Sequence, residues 1–221
     1  MRIQRVDSSS YPVPVVVPGQ SLSDEEVVRR VLNGDAASYE VIVRRYNQRL
    51  FRTLRATITD DHDAEALVQE TYVKAYDRLA EFQGTARFST WLMRIAIHEV
   101  RDRGQLTKGN GHRNGNGNGN GNGHGNGNGL LEQAIDHLPA TLRTVFVLRD
   151  VDGLATDETA DCLGITTVNV RVRLHRARTQ LRSHVQDHAG ADMRQLHPFP
   201  EDRCDRVVAG VMGRIRQRAQ A

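Results

Sequence analysis

Nowhere in the 221 residues does an apolar run approach the ~20 consecutive residues that a helix needs to cross a bilayer, which excludes membrane insertion by a helix. Cysteine occurs only twice, as Cys162 and Cys204, far apart and in segments of different character. That pair supplies neither a disulfide framework nor a metal-ligand spacing, and the expected compartment is the reducing cytoplasm. A secretory signal core is missing too. The opening stretch holds a short Val run broken by Pro12, Pro14 and Pro18, so residues 1–21 read as a disordered lead-in. The one Gly-rich tract has no Lys and no flanking strand, so it is no phosphate-cradling loop. No window alternates apolar and polar side chains at period two, which leaves no candidate strand.

What the chain does have is charge sorted into blocks. Net charge is +3 and the isoelectric point about 9.1. Arg44, Arg45, Arg49, Arg52 and Arg55 fall in one stretch with no acid between them. Asp60, Asp61, Asp63, Glu65 and Glu70 follow without a Lys or Arg, and Arg171, Arg173, Arg176, Arg178 and Arg182 form a second basic run. Such segregation points to one surface for nucleic acid and a separate acidic surface for another partner.

The sharpest boundary is 109–129, alternating Gly and Asn interrupted only by His112, Arg113 and His124. It holds ten of the nineteen glycines and no apolar side chain, so it cannot offset its own ordering entropy. As a flexible coil its ends would average roughly 25 Å apart, and about 70 Å at full stretch. The expected division is a lead-in 1–21, a helical body 22–104, a tether 105–129, a second helical body 130–186 and a C-terminal extension 187–221 with a short helix.

Helical periodicity recurs on both sides of the tether. Ser23 with Glu26 reads as a capping box ahead of Val27, Val28, Val31 and Leu32, with Gly34 ending the helix. Asp35 can cap a second helix striped by Tyr39, Ile42, Val43, Tyr46, Leu50 and Leu54. A third is expected from about Asp63 to Leu79, and Ser89 is expected to cap a fourth carrying Leu92, Ile95 and Ala96. Beyond the tether, Pro139 suits a first helical position. A short helix to Leu163, a corner at Gly164 and a longer helix from near Thr166 make the pattern of a helix-turn-helix. The fold class is all-α.

In that longer helix Val170, Leu174, Ala177 and Leu181 form one apolar stripe. Asn169, Arg171, Val172, Arg173 and Arg176 are thereby pushed to other faces, where Arg suits guanine, Asn adenine and Val a thymine methyl. The bland reading of such a run is a solvated basic face. The turn before it and the absence of any acid from Thr166 to Ser183 favour groove reading. In the first body, Phe82, Phe88 and Trp91 interleave with Arg87, Arg94, Arg101 and Arg103, the combination that holds unstacked bases. Core packing is the competing account of Trp91 and, more strongly, of Phe82.

Asp60, Asp61, His62 and Asp63 invite a metal-dependent phosphohydrolase. Consecutive residues at a helix start are expected to point apart, and no second His or Asp cluster completes a coordination sphere. Acids there also complement the helix dipole, so no metal or cofactor is expected. Cys162 lacks a His and acid pair to activate it and reads as core, as does Cys204.

The segments DAEALVQETYVKAY at 63–76 and FQGTARFSTWLMRIAIHEVRDR at 82–103, followed by LPATLRTVFVLRDVDGL at 138–154 and LGITTVNVRVRLHRARTQLR at 163–182, resemble the bacterial RNA polymerase sigma factors of the extracytoplasmic-function (ECF) group in the sigma-70 family. The resemblance implies a non-enzymatic subunit that gives core RNA polymerase its promoter choice. Asp63, Glu65, Gln69 and Glu70 would bind the polymerase. Arg87, Phe88, Trp91, Arg94, His98 and Arg101 would take the minus-10 element as melted single strand. Asn169, Arg171, Val172, Arg173 and Arg176 would read the minus-35 duplex. It also implies an anti-sigma factor as a further partner.

Four positions depart from the family pattern. Ala66 stands where an acid is usual, His98 replaces a common Asn, Ala155 takes a Ser N-cap position with Thr156 as substitute, and Thr159 replaces an apolar residue. The tail 197–218 resembles short extensions of some relatives, and its stripe of Val207, Val208, Val211, Met212 and Ile215 is expected to dock on the second body or on a regulator. The competing function is a stand-alone helix-turn-helix regulator, which leaves the acidic helix and the Trp91 cluster without a purpose.

Overall fold

The computed structural model describes residues 22–58, 60–104, 128–185 and 199–219; the lead-in 1–21 and residues 105–127 of the tether lie outside them. Every regular element among the described residues is helical. The first body contains α1 (Asp24–Leu32), α2 (Tyr39–Arg55), α3 (Asp61–Asp77) and α4 (Phe88–Asp102).

Capping explains most of the helix starts. The Ser23 hydroxyl accepts from the Glu26 N–H at 3.2 Å, while the Glu26 carboxylate turns to Arg29 and Arg30 instead of closing the box. Asp60 caps α3 by accepting from the Asp63 N–H at 2.8 Å, so α3 begins and ends about two residues earlier than the stripe suggests. Ser89 does not cap α4. Phe88 is 1% exposed and is already the first helical residue, drawn into the core, which carries Ser89 inside the first turn.

The core of this body is the expected stripe, with Tyr39, Ile42, Val43, Leu50 and Leu54 fully buried against Leu67, Val68 and Tyr72 of α3 and Leu92 and Ala96 of α4. Two buried tyrosines need partners for their hydroxyls. Tyr39 donates to the Tyr72 carbonyl at 2.9 Å, and Tyr72 to the Val43 carbonyl at 3.2 Å. These bonds set the register of α2 against α3.

The second body contains α5 (Asn128–Asp136), α6 (Ala140–Phe146), α7 (Thr156–Leu163) and α8 (Thr167–Val185). Helix α5 starts two residues inside the expected tether, the usual uncertainty of a helix end. Pro139 takes the N-cap of α6, one place earlier than expected. Helix α6 widens into a π-helical turn at Val147–Val151, a feature without a local sequence signature. Gly164 adopts φ +64° between α7 and α8, the left-handed corner that a helix-turn-helix needs and that a β-carbon disfavours. At the start of α7, Ala155 holds the N-cap and Thr156 does not replace it; the Glu158 carboxylate accepts from the Ala155 N–H at 2.7 Å. Thr159 is fully buried with its hydroxyl on the Ala155 carbonyl at 2.9 Å, which makes a polar residue tolerable at an apolar position.

The two bodies pack directly. Helix α7 lies on α4, where Thr90 donates to Glu158 at 2.8 Å and Cys162 Sγ faces the Thr90 carbonyl at 3.7 Å. On the other side, buried Arg143 donates to the Ala56 carbonyl at the end of α2 at 2.7 Å. Between these points Asp152, its side chain 1% exposed, accepts from Arg52 at 3.1 Å and Thr53 at 2.8 Å. Burial pushes the Asp152 carboxyl above its ordinary range, opposed by Arg49, Thr53 and Arg52.

The C-terminal helix α9 (Glu201–Ala219) docks on α2 and α3 of the first body, not on the second as expected. Val207, Val208, Val211, Met212 and Ile215 are buried there, in the same core as α2 and α3. The apolar stripe could announce a docked helix but carries no address.

Removing the Asp152 carboxylate takes away the anion that faces the Arg49 and Arg52 guanidinium groups and the acceptor of the Thr53 hydroxyl. Asp152→Ala is expected to lower the unfolding free energy by about 3 kcal/mol in urea titration. Arg178→Ala, which breaks an exposed pair with Asp150, is expected to cost less than about 1 kcal/mol.

Candidate nucleic-acid interface

Helix α8 buries its stripe as the spacing requires, with Val170 and Ala177 at 0%, Leu181 at 7% and Leu174 at 8% exposure. Asn169, Arg171, Val172 and Arg176 are exposed, and Arg173 is half-buried at the edge of the same face. Thr166 caps the helix by accepting from the Asn169 N–H at 3.2 Å, which fixes the first turn. Arg178 is held apart from this group in a two-bonded pair with Asp150, both bonds 2.7 Å. Among the described residues no carboxylate pairs with Arg171, Arg173 or Arg176, so the start of α8 is a basic face turned to solvent.

The second candidate site lies on α4. Trp91, Arg94 and His98 occupy successive turns of one side and line a cavity of about 360 Å³ together with Arg78, Phe82 and Gln83. Phe82, Phe88 and Trp91 form a triangle with ring centroids 5.2, 5.4 and 5.6 Å apart. Phe88 is its inner corner. Its ring is 1% exposed and packs behind Trp91, so in this conformation it faces the core and not solvent. Arg87, Arg94, His98 and Arg101 are exposed. Arg101 Nη2 lies 3.2 Å from His98 Nε2, and Arg94 reaches Asp161 of α7 at 3.5 Å. The structure thus joins Trp91, Arg94 and His98 at one cavity and places Arg87 and Arg101 at either end of the helix.

The acidic residues divide along α3. Asp61, Glu65 and Gln69 share one edge, and that edge faces α9. Asp63 is exposed, and Glu70 pairs with Arg103 at the end of α4. Asp60, His62 and Asp63 bring possible ligand atoms within 4.8 Å of one another, so the expectation that they diverge fails: a helix turn makes positions 60 and 63 neighbours. All three are exposed, and the Asp60 carboxylate already serves as the cap of α3.

Comparison with known proteins fits this geometry. Residues 42–105 match the family model for sigma-70 region 2, and residues 128–181 that for sigma-70 region 4. The chain belongs to the sigma-70 family, in its ECF group. It is similar to the ECF RNA polymerase sigma-E factors of Haemophilus influenzae, 26% identical over 76% of this chain and 97% of the relative, and of Escherichia coli, 28% identical over 76% and 96%. The RNA polymerase sigma-H factor of Pseudomonas aeruginosa is 26% identical over 74% of this chain and 94% of its own. Among solved structures, CnrH in complex with the cytosolic domain of CnrY matches at a TM-score of 0.52, with 22% identity over 74% of this chain and 97% of that one. The sigma factor RpoE in complex with the anti-sigma factor NepR from Bartonella quintana matches at 0.50, with 18% identity over 72% and 99%.

As a sigma factor the chain acts in promoter recognition, and a stand-alone regulator is not favoured, since the region 2 match covers α3, α4 and most of α2. No described helix is long and apolar enough to cross a membrane. Reading the sequence missed Arg78 and Gln83 at the cavity, because neither lies in a run of like residues, and it took Asp61 only as part of the acidic block, not as a partner of α9. Gly210 was a usable signal: a β-carbon there would meet Gln69 Oε1 at 2.8 Å, so a glycine in an apolar helix stripe marks the close approach.

Cys162, wholly buried under α4, has its thiol pushed up to about 11. At pH 8 only about one molecule in a thousand would carry the thiolate. Native alkylation at pH 8 followed by peptide mass spectrometry is expected to leave Cys162 unmodified under conditions that label it fully in urea.

Proposed function

We propose that three surfaces of this sigma factor divide the work of initiation. The exposed and half-buried polar residues of α3, namely Asp63, Glu65, Gln69 and Glu70, bind core RNA polymerase. The cavity edged by Trp91, Arg94 and His98, flanked by Arg87 and Arg101, takes unstacked bases of the minus-10 element. The start of α8, with Asn169, Arg171, Val172, Arg173 and Arg176, reads the minus-35 duplex in the major groove. The observation that carries this reading is a cavity in region 2 edged by Trp91, Arg94 and His98, with Arg78 paired to Glu81 in its lining, together with a capped basic face in region 4 whose Arg171, Arg173 and Arg176 meet no carboxylate among the described residues, within one chain.

The working units are residues 22–104 and 130–186, tethered by 105–129, with 187–221 as an extension. Two weak DNA-binding units gain effective affinity from joint attachment to polymerase. Strand opening follows from preferential capture of extruded bases, an equilibrium shift needing no reaction, cofactor or metal of this chain's own. Trp91 supplies the stacking face, steadied by Phe82 and Phe88. The relatives bound to CnrY and to the anti-sigma factor NepR support an anti-sigma partner for this chain also, in the cytoplasm where polymerase resides.

Promoters selected from a random library with core polymerase provide the template for the tests. Arg171→Ala with Arg173→Ala is expected to lower initiation at minus-35-dependent promoters by about tenfold or more, since each specific base contact contributes about 1–3 kcal/mol. Unchanged promoter choice would reject groove reading by α8. Trp91→Ala is expected to leave duplex binding intact and to reduce open-complex formation, read by permanganate reactivity of melted thymines, by about tenfold.

A further inference from the structure

The acidic edge of α3 already has an occupant. Arg203 of α9 lies over the contacting Phe51 and Phe199 rings, 4.7 and 5.7 Å from their centroids, and reaches Asp61 at 3.3 Å and Glu65 at 3.6 Å. Arg206 meets the same Glu65 at 3.4 Å, and one turn on, Gly210 lets the α9 backbone close over Gln69. At the far end Arg218 pairs with Asp77. Arginines of α9 thus meet acids of α3 at both ends of the contact, and its apolar stripe is buried in the core between them.

We infer that α9 and core RNA polymerase are alternative partners of the same face of α3, so that this chain holds its own polymerase-binding surface closed with its C-terminal helix. The inference rests on the reading that Glu65 and Gln69 contact polymerase. Two groups cannot occupy one carboxylate edge at once, and α9 competes from within the chain at high effective concentration, so polymerase must displace it. The pairing is also selective in sign: a helix with more Arg than acid lies against the acidic block at 60–70. Because the ion pairs between α9 and α3 are half-exposed, salt weakens them and bound polymerase can compete for them.

The test uses the full chain. Arg203→Glu with Arg206→Glu reverses the charges facing Asp61 and Glu65, and Arg218→Glu does so at the other end. Both variants are expected to bind core polymerase about tenfold more tightly than the unaltered chain in fluorescence anisotropy, with thermal unfolding and helicity checked in parallel. A direct readout comes from Cys204, half-buried at the α2 contact with its Sγ 3.0 Å from Asn47 Nδ2. Its alkylation rate, followed by peptide mass spectrometry, is expected to rise severalfold when saturating core polymerase is added to the unaltered chain. An unchanged or lower Cys204 rate in the bound state, or unchanged affinity in both charge variants, overturns the inference. Asp63→Arg separates the two levels of the argument, since Asp63 lies on α3 with no bond to α9. If it weakens polymerase binding while the charge variants change nothing, the polymerase face stands and the closure by α9 falls. If it has no effect on binding, the reading of α3 itself fails.

Discussion

The acidic side of α3 meets arginines that lie 142 residues further along the chain, and the arrangement of the molecule turns on that meeting. Helix α3 is buried on its apolar faces against α2 and α4, with Leu67, Val68 and Tyr72 inaccessible. Its remaining edge carries Asp61 and Glu65 four residues apart, like charges that repel one another on an isolated helix. An opposing basic helix relieves that repulsion and supplies apolar cover for α2 in the same contact. The charge blocks in the chain therefore have an intramolecular use before any outside partner is considered.

A second constraint is the buried Asp152, which ties the loop after α6 to α2. Taking a carboxylate out of water is costly unless donors converge on it; Arg52 and Thr53 donate to the Asp152 carboxylate, while Arg49 of the same helix donates to the Asp152 backbone carbonyl and adds its charge at 3.9 Å. The arginine run of α2 was read from sequence as a surface for nucleic acid. Its members are instead spread over structural tasks: Arg45 pairs with Asp24, Arg44 with Asp205, Arg52 with Asp152, and Arg55 with Asp61. Only the later run, on α8, presents its cations to solvent around a capped helix start.

The aromatic cluster of α4 shows how one group of residues splits between support and contact. Phe88 and Trp91 are three positions apart, so both lie on one side of the helix, but the core is deeper at the helix start. Phe88 is swallowed by it and Trp91 is left at the rim of the cavity. A stacking platform needs such backing, because a ring held from behind loses little freedom when a base arrives.

Periodicity alone determined the all-α class, the stripes of α2 and α8, the corner at Gly164 and the two bodies either side of the Gly/Asn tract, since each follows from contacts between residues near in sequence. The basic face of α8 was legible for the same reason: once its apolar stripe is buried, geometry dictates what remains outside. Tertiary structure decided everything that depends on which surfaces meet. It put α9 on the first body, buried Phe88 while leaving Trp91 at a cavity, and spent most of the α2 arginines on carboxylates distant in the chain. A charge or an apolar stripe states what kind of neighbour a residue needs, and only the packed fold selects which neighbour it gets.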